Sequence, residues 1–384
     1  MTAKRALLLT NMLTPYRAPL LRHVSAVLAG RGWEFKVLTL SERESDRQWE
    51  TEKGASGFDH EVAPGFELSF GSRTRTHVNR GVFRALWRYA PDVVVAAGYV
   101  APAYWQALMY CMLTGKKFVL WSGTTSQSAG PGAGLRGFLK RMFVRGADGF
   151  IAYGAKAKEY LESIGARPET VKVSLNTVDM AFFRDRTREY REGAGFMEER
   201  ARYPECLILY SGQLIARKGV REALAALKKL DDPDIGLLIV GAGPLEAELK
   251  AYCAERGLAS VYFKGFCQKE ELPRYYALAD ALVLPSLEEV WGLVVNEALA
   301  AGHFALCSKY AGAGYDLIDE GKNGALIDPA DVDGFAGGIR LVKGRLDDIR
   351  ERRETISLDA VARFGLTDSA RAIADTVLDV WGRG

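Results

Sequence analysis

The stretch Glu288-Glu289-Val290-Trp291-Gly292-Leu293-Val294-Val295-Asn296-Glu297-Ala298-Leu299-Ala300-Ala301-Gly302 follows an apolar run at 281–285. The run reads as a buried strand that ends in a loop. An acidic loop, the aromatic–glycine step Trp291-Gly292 and a helix start come next. In an α/β protein this order presents backbone N–H groups and a helix N-terminus to an anion. Glu289 and Glu297, with seven residues between them, cannot ligate phosphate. Their carboxylate oxygens suit hydroxyl groups, which donate hydrogen bonds to them. Phosphate together with polyol describes a sugar nucleotide.

The alternation extends outward from this stretch. Toward the N-terminus, runs at 6–10, 34–40, 92–96, 117–121, 149–152 and 171–174 read as strands. Helical patterns at 18–29, 82–89, 102–113 and 135–145 separate them. Residues 190–204 are charged, lack an apolar period and read as a surface or interdomain connection. The rhythm restarts with strands at 207–211, 236–240, 261–263, 281–285, 304–308 and 324–327, and helices at 220–230, 246–256 and 272–279. A last helix is expected over 369–381. Two consecutive α/β halves imply two doubly wound domains facing a cleft, with ligands outside the carboxyl ends of the strands.

Bulk properties agree and exclude other classes. A chain of 384 residues suggests two domains of roughly 150–200 residues each. A net charge of +3, with no basic stripe interleaved with aromatics, argues against a nucleic-acid partner. The five cysteines are dispersed and form no C-x-x-C pair. They point to a reduced, cytoplasmic compartment and away from a zinc site. No signal peptide is visible, and no apolar segment approaches the ~18 residues of a membrane span.

Two further stretches carry chemistry. Gly241-Ala242-Gly243-Pro244-Leu245-Glu246 follows a strand but lacks the third glycine of a dinucleotide fingerprint, so a nicotinamide or flavin cofactor is not expected. Ser211-Gly212-Gln213-Leu214-Ile215-Ala216-Arg217-Lys218-Gly219 takes a strand through a glycine turn to two adjacent cations before a helix. Either Lys218 there is placed to reach a diphosphate held in the cleft and to offset charge building on a leaving phosphate, or the pair are ordinary surface cations of a solvated loop.

Lys218-Gly219, Val240-Gly241-Ala242-Gly243-Pro244, Phe263-Lys264-Gly265-Phe266 and the Glu289/Glu297 stretch occur in this order. Together they resemble the retaining glycosyltransferases of family 4 (glycosyl transferases group 1), which adopt the GT-B fold. Asn176-Thr177-Val178-Asp179 with Phe183 resembles the segment that closes the family's first domain. The likeness covers essentially all of 205–330 and is looser across 1–180. The resemblance implies Glu289 and Lys218 as the catalytic pair, with Glu289 on hydroxyls of the transferred sugar and Lys218 on the diphosphate. It implies Glu297 on the ribose hydroxyls, and the backbone N–H groups of Gly292, Leu293 and Val294, next to Trp291, facing the diphosphate. Gly265 and Phe266 are implied near the base.

The chain departs from the family pattern at three places. The Gly-Arg turn after the first strand of the second domain is Gly212-Gln213 here, so the second phosphate cation is missing; Gln213 still donates hydrogen bonds, and Arg217 is a candidate substitute. The first strand is followed by Asn11-Met12-Leu13-Thr14-Pro15-Tyr16-Arg17 in place of Gly-Gly. Arg17 is either a helix-start surface residue or points toward donor phosphate or an acidic acceptor. The loop 122–128 contains no His, Asp or Glu, so no general base is offered. A retaining front-face mechanism tolerates that, because the donor's β-phosphate oxygen accepts the acceptor proton. Thr124 and Ser126 are either acceptor-orienting residues or polar turn residues.

The scheme needs neither a metal nor a cofactor. Asp231-Asp232-Pro233-Asp234 reads as a solvated turn. The segment 135–145 interleaves apolar and basic residues. It is either a membrane-surface helix facing a lipid-linked acceptor or a core-facing amphipathic helix with a solvated basic side.

The expected architecture is α/β: GT-B, two Rossmann-like doubly wound domains facing an interdomain cleft. Residues 1–187 would bind acceptor, with the C-terminal helix 364–381 packing back on them, and 188–363 would bind nucleotide sugar. The expected reaction is transfer of a hexose from a nucleoside-diphosphate sugar to a hydroxyl of a glycan or lipid-linked acceptor, in surface polysaccharide or lipopolysaccharide synthesis. The expected location is the cytoplasm, at the inner face of the membrane if 135–145 meets lipid. A sugar-nucleotide epimerase and a non-catalytic nucleotide-sugar-binding protein are the alternatives on the same fold.

Overall fold

The structure, a computed structural model, describes residues 3–42, 57–70, 74–79, 81–129 and 134–383. It divides into two compact units, Met1–Asn176 with Leu366–Gly384, and Thr177–Gly365.

Unit 1 contains β1 (Lys4–Thr10), α1 (Arg17–Ala29), β2 (Trp33–Thr39), β3 (Asp59–Val62), the hairpin β4 (Phe66–Phe70) and β5 (Thr74–Val78), α2 (Gly81–Tyr89), β6 (Val93–Ala96), α3 (Pro102–Thr114), β7 (Lys117–Ser122), α4 (Gly134–Arg145), β8 (Gly149–Ala152), α5 (Ala155–Ser163) and β9 (Val171–Val173). Seven strands form a parallel sheet in the order β3-β2-β1-β6-β7-β8-β9. The central strands are apolar on both faces because helices cover both. Helices α2 to α5 pack on Leu7, Leu9, Val94, Phe118 and Phe150. Helix α1 and the C-terminal helix pack on Leu8, Val37, Val95, Val119 and Trp121. β3 carries Asp59, His60 and Glu61 at the sheet edge, where charge discourages further pairing. It therefore has no apolar run for a sequence reading to find.

Unit 2 contains α6 (Met180–Glu192), α7 (Phe196–Arg200), β10 (Cys206–Ser211), α8 (Val220–Leu230), β11 (Ile235–Val240), α9 (Glu246–Arg256), β12 (Val261–Gly265), α10 (Leu272–Leu278), β13 (Ala281–Leu284), α11 (Leu293–Ala300), β14 (Phe304–Ser308), α12 (Ala313–Leu317), β15 (Gly324–Ile327), α13 (Val332–Gly344), α14 (Leu346–Glu351) and α15 (Arg353–Phe364). Its parallel sheet has the order β12-β11-β10-β13-β14-β15, so strand order reverses between β10 and β13. Crevices at such reversals are where doubly wound sheets take ligands.

The residues expected to form a connection, 190–204, are largely helical. Asp179 caps α6 by accepting from Phe182 N (3.1 Å), and Arg191 near its end donates to Ala301 O (2.9 Å) and Tyr276 O (3.2 Å). Only the last three residues of α6 fall within 190–204, and α7 buries none of its residues, which is why the stretch shows no apolar period. Asp280, buried at the start of β13, accepts from Leu207 N (3.0 Å) and from Arg200 (2.9 Å), Arg350 (2.9 Å) and Arg353 (2.5 Å). Burial alone would raise this carboxyl, but the Arg350 bond, the Arg353 and Arg200 charges and the Leu207 N–H together hold it below the ordinary carboxylate range. Asp232 and Asp234 both pair with Lys343, as an ion-paired turn.

The chain leaves unit 2 after α15, and α16 (Leu366–Gly382) belongs to unit 1. Ser369 Oγ donates to Leu175 O (2.8 Å), and Ser174 Oγ to Ser369 O (3.0 Å). A Cβ on Gly149 of β8 would stand 2.5 Å from Val380, so a glycine is what lets α16 lie this close to the sheet.

Candidate functional site

Two loops meet at the strand reversal of unit 2. The first leaves β10 through Gly212-Gln213 and makes a single 3-10 turn, Ala216–Lys218, closed by Gly219 at φ +67°. A Cβ on Gly219 would lie 1.9 Å from Pro285 O, so only glycine lets this turn rest on the end of β13. The second loop answers with hydrogen bonds from Leu287 N (2.8 Å) and Glu288 N (3.3 Å) to Arg217 O. This backbone seam places Lys218 Nζ against Glu289 Oε2 in a largely buried ion pair. Val290 N donates to the other oxygen of Glu289 (3.2 Å), and Ser286 Oγ stands 3.4 Å from Oε2. Neither an ammonium nor a carboxylate is cheaply desolvated alone, so each makes the other's burial tolerable. Burial, and next the Glu289 charge, push the Tyr210 phenol above its ordinary value; it remains a donor, to Gln213 O (2.8 Å).

Helix α11 begins beside this pair. Gly292 stands at φ +100°, and a Cβ there would meet the Leu284 side chain at 2.5 Å. The first N–H groups of a helix have no partner within it and carry the positive end of its dipole. Those of Gly292, Leu293 and Val294 thus form an edge suited to an anion, a few residues along the chain from Glu289. The Trp291 ring is buried, with Nε1 donating to Asn296 Oδ1 (3.0 Å), so this residue offers a ligand its backbone.

Glu297 lies one turn deeper and is only 2% exposed. Its Oε2 accepts from Tyr276 Oη at 2.7 Å. Tyr276 is itself fully buried, and its carbonyl takes His303 Nε2 (2.7 Å) and Arg191. Burial, followed by the Arg191 and Arg353 charges, drives the His303 pKa down to about 3, so this ring is neutral near pH 7. Tyr276 and Ser286 are site residues that the sequence reading did not single out. Tyr276 sits in a helix that reads as plain core, and no local signal marks it; Ser286 carries the weak signal of a polar residue just before Glu289.

Gly265 (φ +76°) and Phe266 end β12, with Gly265 O accepting from Gly241 N (2.7 Å). The glycines at 241 and 243 have a packing role. A Cβ on Gly241 would lie 1.8 Å from Gly212 O, and one on Gly243 would lie 2.4 Å from Leu214 O. They fix the backbone of the 212–214 turn. The carboxyl ends of β10, β12 and β13 therefore gather Gln213, Lys218, Gly265, Phe266, Glu289 and the start of α11. The Arg217 side chain is exposed, with Nη1 3.4 Å from Glu288 O.

In unit 1, Arg17 is built into its surroundings. It donates to Thr10 Oγ1 (2.7 Å) and Tyr153 Oη (2.7 Å), and its guanidinium lies 5.0 Å from the Trp121 ring centroid. Gly123 permits this, because a Cβ there would overlap the Tyr153 ring at 2.2 Å. The cation is thus held over the carboxyl ends of β1, β7 and β8. Thr124 Oγ1 accepts from Tyr99 Oη (3.2 Å), whereas Ser126 is exposed.

Residues 197–354 match the family Glycosyl transferases group 1, and residues 20–182 match Glycosyltransferase Family 4. A D-inositol 3-phosphate glycosyltransferase from Thermomonospora curvata is 30% identical over 303 residues, covering 74% of this chain and 68% of that protein. A glycogen synthase from Mycobacterium tuberculosis is 34% identical over 55% of this chain and 48% of its own length. The crystal structure of Anabaena HepE with UDP and glucose superposes with a TM-score of 0.73 at 19% identity, covering 98% of this chain and all of that one. At that identity the likeness is one of fold, the two-sheet GT-B architecture.

Proposed function

This chain belongs to the group 1, family 4 glycosyltransferases, and from that premise we propose that it moves a hexose from a nucleoside-diphosphate sugar to a hydroxyl, with retention at the anomeric carbon and without a metal. The observation that carries this reading is the Lys218–Glu289 pair beside the N-terminus of α11 at the strand reversal of unit 2. A cation and an anion that partner each other at this position are the two groups a sugar diphosphate needs. On donor binding the Lys218 ammonium turns to the diphosphate, together with the N–H groups of Gly292, Leu293 and Val294. Glu289 then accepts from a sugar hydroxyl. Glu297, oriented by Tyr276, is assigned to the ribose hydroxyls, and Gly265 with Phe266 to the base. Gln213 and Arg217 lie on the phosphate side.

The chemistry is a front-face displacement. The bond from the anomeric carbon to the β-phosphate oxygen breaks, and its electron pair stays on that oxygen. The acceptor oxygen bonds to the same face of the sugar, and its proton passes to the departing phosphate. The histidine- and carboxylate-free loop 122–128 supports a reaction that uses the leaving group as base. Lys218 and the helix start stabilise the developing charge. We assign the acceptor to unit 1, where Arg17 offers a fixed cation and Thr124 and Ser126 offer hydroxyls. A surface polysaccharide, lipopolysaccharide or lipid-linked glycan is the proposed acceptor class, with peripheral membrane contact through 135–145.

Glu289→Gln tests the assignment, because it keeps the shape while removing the charge and one of the two accepting oxygens. Against UDP-, GDP-, ADP- and dTDP-glucose, the variant should bind the wild type's donor and transfer at least ~100-fold more slowly. NMR of the wild-type product should show the donor's anomeric configuration. Wild-type turnover by the variant refutes the role of Glu289, and an inverted product refutes retention.

A further inference from the structure

Helices α3 and α4 of unit 1 each expose an apolar stripe where a folded domain would be expected to show a polar face. On α4, Leu135, Phe138, Leu139 and Met142 follow the i, i+3, i+4, i+7 spacing of one helical stripe, and all four are exposed, Leu135 at 73%. The sequence allowed for this stripe to face the core, and it does not: α4 buries Gly137, Phe143 and Val144 instead. On α3, a second stripe that the sequence does not mark as exposed, Met109, Met112 and Leu113, stands open to solvent, with Met112 at 72% and Leu113 at 69%. Outside residues 87–142, the described large apolar side chains as exposed as Met142 are Met197 and Leu358.

The two helices meet beside these stripes. Trp105 in the first turns of α3 packs edge-on against Phe143 in the last turn of α4, with centroids 4.9 Å apart. Met109 and Met112 lie four and seven residues beyond Trp105, on the same side of α3. Leu139 lies four residues before Phe143, on the same side of α4. Leu113 and Leu135 each lie eight residues from that contact, about 12 Å along their helices at 1.5 Å per residue. Exposed apolar area of this extent marks an interaction site.

Charge identifies the partner. Residues 93–147 contain no Asp or Glu and six Lys or Arg. Lys116 and Lys117 pair with Asp92 and Asp148. Arg136, Arg141 and Arg145 are exposed, and among the described residues none of them pairs with a carboxylate. Apolar stripes beside unpaired arginines, with no acidic group in the segment, complement a surface that is anionic at its head and apolar below it. Among the described residues no helix is long and apolar enough to cross a membrane, so contact would be superficial. We infer that the α3–α4 face docks unit 1 on an anionic lipid bilayer, with α3 inserting side chains alongside α4.

Co-sedimentation with phosphatidylcholine vesicles, with and without phosphatidylglycerol, tests this. Wild-type protein should bind the anionic vesicles roughly 100-fold better than the neutral ones, the gain expected of three basic groups at the surface. High salt should weaken that binding. Met112→Glu with Leu113→Glu on α3 should lower binding at least ~10-fold. Met197→Glu, at an equally exposed position in unit 2, should change nothing. All substituted positions are exposed, and far-UV circular dichroism checks that the variants fold. Absence of vesicle binding by the wild type overturns the inference, as does wild-type binding by the α3 variant. A lipid-free dimer abolished by the α3 variant, with no vesicle binding, would make the face a contact between copies and overturn it equally. Vesicle binding is read without donor or acceptor, so its failure leaves the donor assignment standing.

Discussion

Replacing Gly219 by alanine should damage the site without touching any charged group. The added Cβ would stand 1.9 Å from Pro285 O, against an ordinary C···O separation of about 3.3 Å. The 216–219 turn and the 285–289 loop must therefore separate by about 1.4 Å. Lys218 is the adjacent residue, so its ammonium moves relative to Glu289 by a similar amount. A misplacement of about 1 Å costs on the order of 100-fold in rate. Stability falls as well: a positive φ costs alanine roughly 1–2 kcal/mol, and the forced shift adds roughly 1–3 kcal/mol. A loss near 3 kcal/mol corresponds to about 6–12 °C in Tm for a domain of this size. Gly257→Ala is the control, because Gly257 has nearly the same φ, +65°, and no atom within 4 Å of its Cβ position. It should lose only the backbone part of the stability and keep its turnover. The assay is release of nucleoside diphosphate from whichever glucose nucleotide the wild type hydrolyses, with Tm in parallel. If Gly219→Ala turns over like Gly257→Ala, the seam does not set the Lys218–Glu289 geometry and the reasoning fails.

Tyr276→Phe removes the hydrogen bond that Tyr276 Oη donates to buried Glu297, an effect of about 1–3 kcal/mol. The donor KM should rise about 10-fold with kcat little changed; an equal fall in kcat would place Glu297 in the chemical step instead. Asp280→Asn strips the buried anion from three arginines and should cost about 3–5 kcal/mol in urea unfolding at pH 7. Because the folded carboxyl is held below its unfolded value, its contribution is complete above that value and is lost as pH falls toward the folded one. The gap between the variants should therefore narrow below about pH 4, and a gap that stays constant to pH 2 would contradict the assignment.

The strands were legible because helices cover both faces of each sheet, so central strands such as β11 are apolar throughout. Elements that bury little were not: β3 is a charged edge, and α7 lies in the charged stretch that reads as a connection. In the site, Lys218 and Glu289 were legible as residue types beside a glycine turn and a helix start. Their contact was not, because it joins positions 71 residues apart through backbone seams that leave no local pattern. Glu297 was expected to face a ligand, and its burial against Tyr276 depends on how α10 meets α11. Arg17 was legible as a loop cation, whereas its seat between Trp121 and Tyr153 comes from strands more than a hundred residues later. The α3 stripe was hidden for the opposite reason: an apolar helix between two strands is read as covered.

The glycine contacts of 241 and 243 with the backbone of 212 and 214 separate scaffold from specificity at one position. The course of the chain through residue 213 is set by neighbouring carbonyls and glycines, so it does not depend on which side chain residue 213 carries. The slot that holds glutamine here can exchange neutral for charged, or long for short, while the fold around it stays as it is. If the proposed donor assignment holds, variation in phosphate recognition can be written at that address without rewriting the domain.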